Sequence, residues 1–329
     1  MSPRRHVAPS AACAPNTMRG SPFTARNAMP RRPAEALQPL HAHEDRALVA
    51  RVLRARPLPG VTGGSALLDV DGRLLAVHDD AFRVSWVSLP SFDVTAVVLA
   101  GDGAPLAKTD KPDFESAVRT ADGAIHVLGS GSSSRRCMLA RIDPQTSAVA
   151  LRHRPRLYRC VQDALGSGER PNIEGAIVAG DRLRLFNRAA GRTPNATIDL
   201  PVEVLDGAAP RALAFATFEL GELDGVRLGF TDAALLRDGR CVFVAAAEDA
   251  PDAIADGPVM GSVVGLLEPD ARGATARLTR LVASDGRPSA DKVEGMAIDA
   301  DARSGWLLTD SDDERVPAEL LRIELVGFD

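Results

Sequence analysis

Short apolar runs, broken by Gly, Asp and Asn, recur along the chain, and five of them share one head. They read Ser65-Ala-Leu-Leu, Glu115-Ser-Ala-Val, Glu174-Gly-Ala-Ile-Val, Asp232-Ala-Ala-Leu-Leu and Glu294-Gly-Met-Ala-Ile, at intervals of roughly 50–62 residues. A repeat of that length marks one supersecondary unit stacked on copies of itself. After each head comes a turn carrying Gly, at Asp71-Gly72, Asp122-Gly123, Gly180-Asp181, Asp238-Gly239 and near Gly305. Gly, Asn and Asp accept the positive φ of tight hairpins, so each head is read as a strand entering a hairpin.

The pattern predicts four strands per unit. Second strands fall at 73–78, 124–128, 182–186, 240–245 and 305–308, and third strands at 84–89, 137–142, 196–204, 262–267 and 318–325. Fourth strands fit 94–99, 148–151, 212–218 and 275–282. The fifth unit has no fourth strand, whereas 47–54 is a strand without a unit. Letting it complete the fifth unit closes the ring and removes exposed edges. The expected fold is therefore all-β: a closed five-bladed β-propeller of four-stranded antiparallel blades over 47–329. One helix is expected, with Leu157, Cys160, Val161, Ala164 and Leu165 on one face and Gly166 as its stop.

Residues 1–46 do not share the pattern. They hold Arg4-Arg5, Arg31-Arg32, seven prolines and no acid before Glu35, without the apolar stretch of a secretory signal. This stretch is read as a disordered basic leader or a start placed too far upstream, with Met18 or Met29 as later starts. A cytoplasmic location is expected. Aromatic residues make up only 4% of a chain that is 45% hydrophobic, so Ala, Val, Leu and Gly must fill the core. The net charge of −5 gives no general attraction to nucleic acid or anionic membrane. Basic charge is almost all Arg, with Lys only at 108, 111 and 292, as coding bias would produce. Cys13, Cys137, Cys160 and Cys241 form no metal-binding spacing and are read as core thiols.

In a propeller the first strands line the central channel. Ser65, Glu115, Glu174, Asp232 and Glu294 would then converge at one mouth. Four carboxylates so close cannot all ionise without a counter-charge. One Ca2+ in the channel resolves the conflict, because it accepts an irregular set of oxygens. The alternative is that waters and backbone amides satisfy the acids. The rim loops carry His78-Asp79-Asp80, Gly129–Arg136, Asn187-Arg188, Glu248-Asp249 and Asp310–Glu314. Asp80 and Asp312 are the preferred catalytic carboxylates, and Arg136 and Arg188 the preferred forks for phosphate. No nucleophile elbow, zincin or dinucleotide motif occurs.

Gly72–Asp80, Phe114-Glu115, Leu157–Gly166 leading to Asn172-Ile-Glu174, Phe230-Thr-Asp232 and Val293-Glu294-Gly295 together resemble the calcium-activated nucleotidase (apyrase) family. That resemblance implies a five-bladed propeller with calcium held by a Ser, Glu, Glu, Ser, Glu set. Asp232 stands where the family has its second Ser. It also implies hydrolysis of nucleoside di- and triphosphates, with Asp80 and Arg188 in matching segments. Gly129-Ser-Gly-Ser-Ser-Ser-Arg135 lacks the family's Lys, Glu and Trp. The heads are also similar to those of bacterial phytase-like and esterase-like propellers. Three readings stay open: a metal-dependent hydrolase of small phosphorylated compounds, a non-catalytic binding propeller with structural calcium, and a calcium-dependent lactonase or esterase. The expected partner is a small anionic or phosphorylated ligand, not nucleic acid or membrane, and the chain is expected to be monomeric.

Overall fold

The structure is a computed structural model that describes residues 38–249, 257–268, 274–313 and 315–329. The five heads each lie on the inner strand of a four-stranded antiparallel sheet, near its start in four blades and inside Val226–Leu235 in the fourth. Blade one is Gly64–Val70, Arg73–His78, Arg83–Ser88 and Asp93–Val98; blade two is Phe114–Arg119, Ile125–Gly129, Met138–Ile142 and Val149–His153. Blade three is Ile173–Ala179, Arg182–Asn187, Asn195–Pro201 and Ala214–Glu219; blade four is Val226–Leu235, Cys241–Glu248, Val259–Glu268 and Thr275–Val282. Blade five is Val293–Ile298, Ser304–Thr309 and Glu319–Val326.

The fourth strand of blade five comes from the other end of the chain. Val49–Pro57 runs antiparallel to Glu319–Val326, from Val49 opposite Val326 to Pro57 opposite Glu319. Each inner strand packs on the next, and the fifth packs on the first, so the ring closes. The closure expected from the spare strand is what the fold uses.

Successive residues of a strand point to opposite faces, so a second strand packed on both sides is apolar at consecutive positions, as at Leu74–Val77. In blade one, Leu74 and Ala76 face blade five, whereas Leu75 and Val77 face blade two. Every blade thus buries both faces, and each of the five seams holds its own apolar cluster. Between blades three and four, Phe230 meets Phe186, Phe218 and Phe243 edge-on at 5.2–5.5 Å between ring centres.

The expected helix spans Pro155–Leu165, starting on a proline and stopping at Gly166, whose φ is 67°. It buries Leu157, Tyr158, Val161 and Leu165 against the seam of blades two and three. The Tyr158 hydroxyl donates to the Gly129 carbonyl at 2.6 Å and so holds the serine-rich rim loop. Among the described residues no helix is long and apolar enough to cross a membrane. Cys137, Cys160 and Cys241 are free thiols.

Residues 1–37 of the expected leader lie outside the described residues, as does Cys13. Leu40–Glu44, which fell within that leader, is a strand. It runs parallel to the outer strands of blades three and four, with Leu40 opposite Phe218 and Glu44 opposite Leu278. The strand thereby covers two sheet edges at one seam.

Candidate metal centre

A β-bulge sets the channel-facing residue of each blade. Register breaks between Gly64 and Ala66, Phe114 and Ser116, Ile173 and Gly175, Phe230 and Asp232, and Val293 and Gly295. The residue left over in each is Ser65, Glu115, Glu174, Thr231 or Glu294. An extra residue in a bulge loses its ladder partner and is re-aimed. In blade four that residue is Thr231, one place before the expected Asp232.

Asp232 occupies the next position, where the inner strands come closest. The same place holds Gly in blades three and five. A Cβ on Gly295 would lie 2.7 Å from the Ala66 carbonyl carbon, and one on Gly175 would lie 3.1 Å from Asp232 Cα. In this tight layer the Asp232 carboxylate accepts the backbone N–H of Ala233 at 2.7 Å, of Met296 at 2.8 Å, and of Leu67. The oxygens of Asp232, expected on the ion, here join blades four, five and one. The hydroxyl heads also act at seams. Ser65 donates to the Phe114 carbonyl and Thr231 to the Val293 carbonyl.

Above this layer opens a cavity of about 360 Å³, lined by nine carboxylates and five basic side chains. Glu115, Glu174 and Glu294 rise into it from the inner strands, and Asp79, Asp113, Glu248, Asp310 and Asp312 enter from the rim. The five-residue ring expected from the heads is not one cluster. Among the described residues, the carboxylates that gather within 4.8 Å of one another belong to Asp79, Asp113 and Glu115. This buried triad can coordinate a cation. Asp113 sits in the left-handed region at φ 55°, a conformation that Asp tolerates better than most residues.

The triad is held from one side. Arg136, almost wholly buried, donates to Asp113 Oδ2 at 2.9 Å, to Ser132 Oγ at 3.0 Å and to the Lys108 carbonyl at 3.0 Å. Lys111 places its ammonium against Asp79 Oδ2 and 3.3 Å from Asp113 Oδ1. Among the described residues Glu115, 8% exposed, makes no hydrogen bond or ion pair. A buried carboxylate without a donor is costly unless it is neutralised or meets a cation.

On the far side Arg188 bridges Glu248 at 2.8 Å, Glu294 at 3.5 Å and Glu174 at 3.6 Å. Lys292 reaches Asp312 at 2.8 Å, Glu294 at 3.2 Å and Glu248 at 3.4 Å. Arg136 and Arg188, expected to receive phosphate, are both committed to carboxylates. All five basic side chains of the cavity are so paired, including exposed Arg227 with Glu219.

Desolvation dominates the electrostatics. Burial raises Asp79 to about 6 even with Lys111 beside it, and Glu174 to about 8 in spite of Arg188. Burial, then Asp113, Glu174 and Asp79, pushes Glu115 well above the usual carboxylate range. Burial alone would lower Lys111, but Asp79 and Asp113 outweigh it and keep the ammonium charged.

Asp80 and Asp312 line a side cavity of about 110 Å³ with Asp79, Asp310 and Asp313. Asp80 Oδ2 accepts from Thr62 Oγ1 at 2.7 Å, while its buried Oδ1 has no hydrogen bond among the described residues. Nearby, His78 Nε2 lies 2.8 Å from Ser85 Oγ, but Arg83 approaches its Nδ1 at 3.2 Å. With Nδ1 accepting, Nε2 carries the proton, so His78 donates to Ser85 and cannot serve as its base. Both residues are also fully buried.

Asp79, Asp113, Lys111 and Lys292 were not singled out as site residues from the sequence. One signal would have found the lysines: of 39 basic side chains only three are Lys, and all three line the mouth or its side cavity. In so arginine-rich a chain, the exceptions mark where a compact, flexible ammonium replaces a rigid fork.

No curated protein matches the chain. Similar solved structures include the glutaminyl cyclase of Myxococcus xanthus, 10% identical, with a TM-score of 0.49 over 89% of this chain and 100% of that one. The PQQ-bound aldose sugar dehydrogenase of Streptomyces coelicolor is 12% identical, with a TM-score of 0.49 over 86% and 100% of the two chains. A putative glycoside hydrolase of Parabacteroides distasonis is 13% identical, with a TM-score of 0.45 over 80% and 86%. Likenesses of that size carry no statement about activity. A family model does cover most of the propeller, from residue 60 to 325, and the chain belongs to that family, described as a family of unknown function (DUF6929).

Proposed function

We propose that this protein is a cation-binding propeller whose channel mouth takes up one divalent ion on Asp79, Asp113 and Glu115, and that the ion is calcium. The observation that carries this reading is Glu115, a buried carboxylate without a hydrogen-bond or ion-pair partner among the described residues, which faces two others within 4.8 Å. An all-oxygen set of acids suits a hard cation, and an irregular rim suits calcium better than magnesium. When bound, the ion would supply the counter-charge that Glu115 lacks.

Of the three open readings, a binding propeller with structural or ligand-capturing calcium has the most support. A phosphorylated ligand would need arginines to receive it, and Arg136 and Arg188 are held by Asp113 and by Glu248. Because all five basic side chains of the mouth are paired with acids, a bound ion would be the group left to receive an anion. The hydrolase reading keeps one observation in its favour. Burial raises Asp310 well above the usual carboxylate range, the direction a general acid needs, and Asp310 lines the side cavity with Asp80 and Asp312.

Calcium titration of chelator-treated protein, followed by thermal unfolding, tests the proposal. Stabilisation should rise with the logarithm of calcium concentration, as expected for a ligand of the folded state. A flat response in calcium, magnesium and manganese would remove the proposal.

A further inference from the structure

We infer that Lys111 is the resident cation of the Asp79–Asp113–Glu115 triad, so that a divalent ion binds by displacing its ammonium. This inference rests on the proposed cation site and concerns how that site is controlled. The geometry assigns one oxygen of each acid to the exchange. Asp113 Oδ2 is engaged by Arg136 and Ser130, which leaves Oδ1, the oxygen 3.3 Å from the Lys111 ammonium. Asp79 offers Oδ2 to the same ammonium. Glu115 has no hydrogen-bond or ion-pair partner among the described residues. Withdrawal of one side chain would therefore free an oxygen on Asp79 and one on Asp113, beside a Glu115 that is already free.

Lys111 is built to leave and Arg136 is not. The Arg136 guanidinium is fixed by a carboxylate, a hydroxyl and a carbonyl. The Lys111 ammonium sits at the end of a flexible four-carbon stem, and its side chain is 16% exposed at the edge of the mouth. The backbone around it is anchored separately. Leu106 N–H donates to the Asp80 carbonyl at 2.8 Å and Asp113 N–H to the Asp79 carbonyl at 3.1 Å. The stem can swing out without moving the acids.

Two properties follow. Apparent affinity is scaled down to the fraction of time the lysine is withdrawn, as for any site with a competing closed state. A monovalent ion offers the triad no more charge than the ammonium it must expel, whereas a divalent ion adds one unit. Lys111 thus sets both the affinity and the preference for divalent ions.

The test compares the whole wild-type chain with Lys111→Met by calorimetric titration with calcium chloride, and follows the lysine side chains by NMR. Three lysines make the ε-methylene signals assignable. Calcium affinity should rise about tenfold or more in Lys111→Met. In wild type, saturating calcium should move one lysine signal toward the position of an exposed lysine. Lys111→Met that fails to fold leaves the NMR readout, which needs only wild type. If wild type binds calcium with no lysine signal moving, or with the same affinity as a folded Lys111→Met, the inference is overturned and the cation site stands. If only Lys111→Met binds calcium, Lys111 is confirmed as occupant and the wild-type calcium reading fails. Binding by neither overturns both.

Discussion

Thr231 Oγ1 donates to the Val293 carbonyl at 2.7 Å, one residue before the Glu294 head, just as Ser65 donates to the carbonyl one residue before Glu115. The two hydroxyl heads fasten their blades to the next, while the three Glu heads rise into the mouth. Thr231→Val removes the donor and leaves a buried carbonyl unpaired. It should cost about 1–3 kcal/mol in urea unfolding, and Thr231→Ser should recover most of it. Equal stability of wild type and Thr231→Val would show that the seam does not depend on this bond.

Asp232 separates stapling from ligation. Asp232→Ala leaves the Met296 and Leu67 amides without their acceptor in the tight layer below the cavity. It should lower stability by at least about 2 kcal/mol. Calcium affinity of the folded variant should stay within about twofold of wild type, since its oxygens do not face the ion. A large loss of affinity at full stability would return Asp232 to the ligand set.

How much of this was legible beforehand follows from what each signal encodes. Strands such as Arg73–His78 and Thr275–Val282 fell where the apolar pattern put them, because a continuous apolar run reports two buried faces and alternation reports one. The slip from Thr231 to Asp232 arose because matching Ala-Ala-Leu-Leu to other heads aligns apolar residues and cannot register a bulge. Leu40–Glu44 was missed because a five-residue edge strand with two His and a Glu has too little alternation to stand out. Lys111 and Asp113 lie on the connection between blades one and two. Their approach to Glu115 depends on loop path, which no periodicity describes. The rim arginines were found, but their commitment to carboxylates was not, since pairing partners such as Arg188 and Glu248 lie on different blades.

Stability should depend on pH in a direction set by the raised acids. Glu174 is raised from 4.5 to about 8 by burial, so the folded state holds its proton more tightly than the unfolded chain. Its contribution is fully present below the unfolded value and is lost as pH climbs through about 8. Cation-free protein should therefore become less stable between these limits, and calcium should flatten the slope by favouring the ionised acids. Calorimetry in buffers of different ionisation enthalpy should show proton release on calcium binding at pH 6 that fades by pH 9. No proton release at pH 6 would contradict the raised acids.

Arg188 is a structural counter-charge to three carboxylates. Arg188→Met leaves Glu174, Glu248 and Glu294 with Lys292 alone on their side, and should cost about 3–5 kcal/mol at pH 8. The loss should shrink at pH 5, where the acids can take protons. Inorganic phosphate should not stabilise wild type without calcium. Phosphate stabilisation that disappears in Arg188→Met would identify Arg188 as an anion fork instead.

Glu115 is the residue on which the cation reading depends most. Equilibrium dialysis of chelator-treated wild type and Glu115→Gln against calcium measures the number of ions bound directly. Wild type should bind one calcium per chain, and Glu115→Gln should bind at least about tenfold more weakly while remaining as stable as wild type in chelator. Wild type without bound calcium, or Glu115→Gln binding as tightly as wild type, would contradict the account.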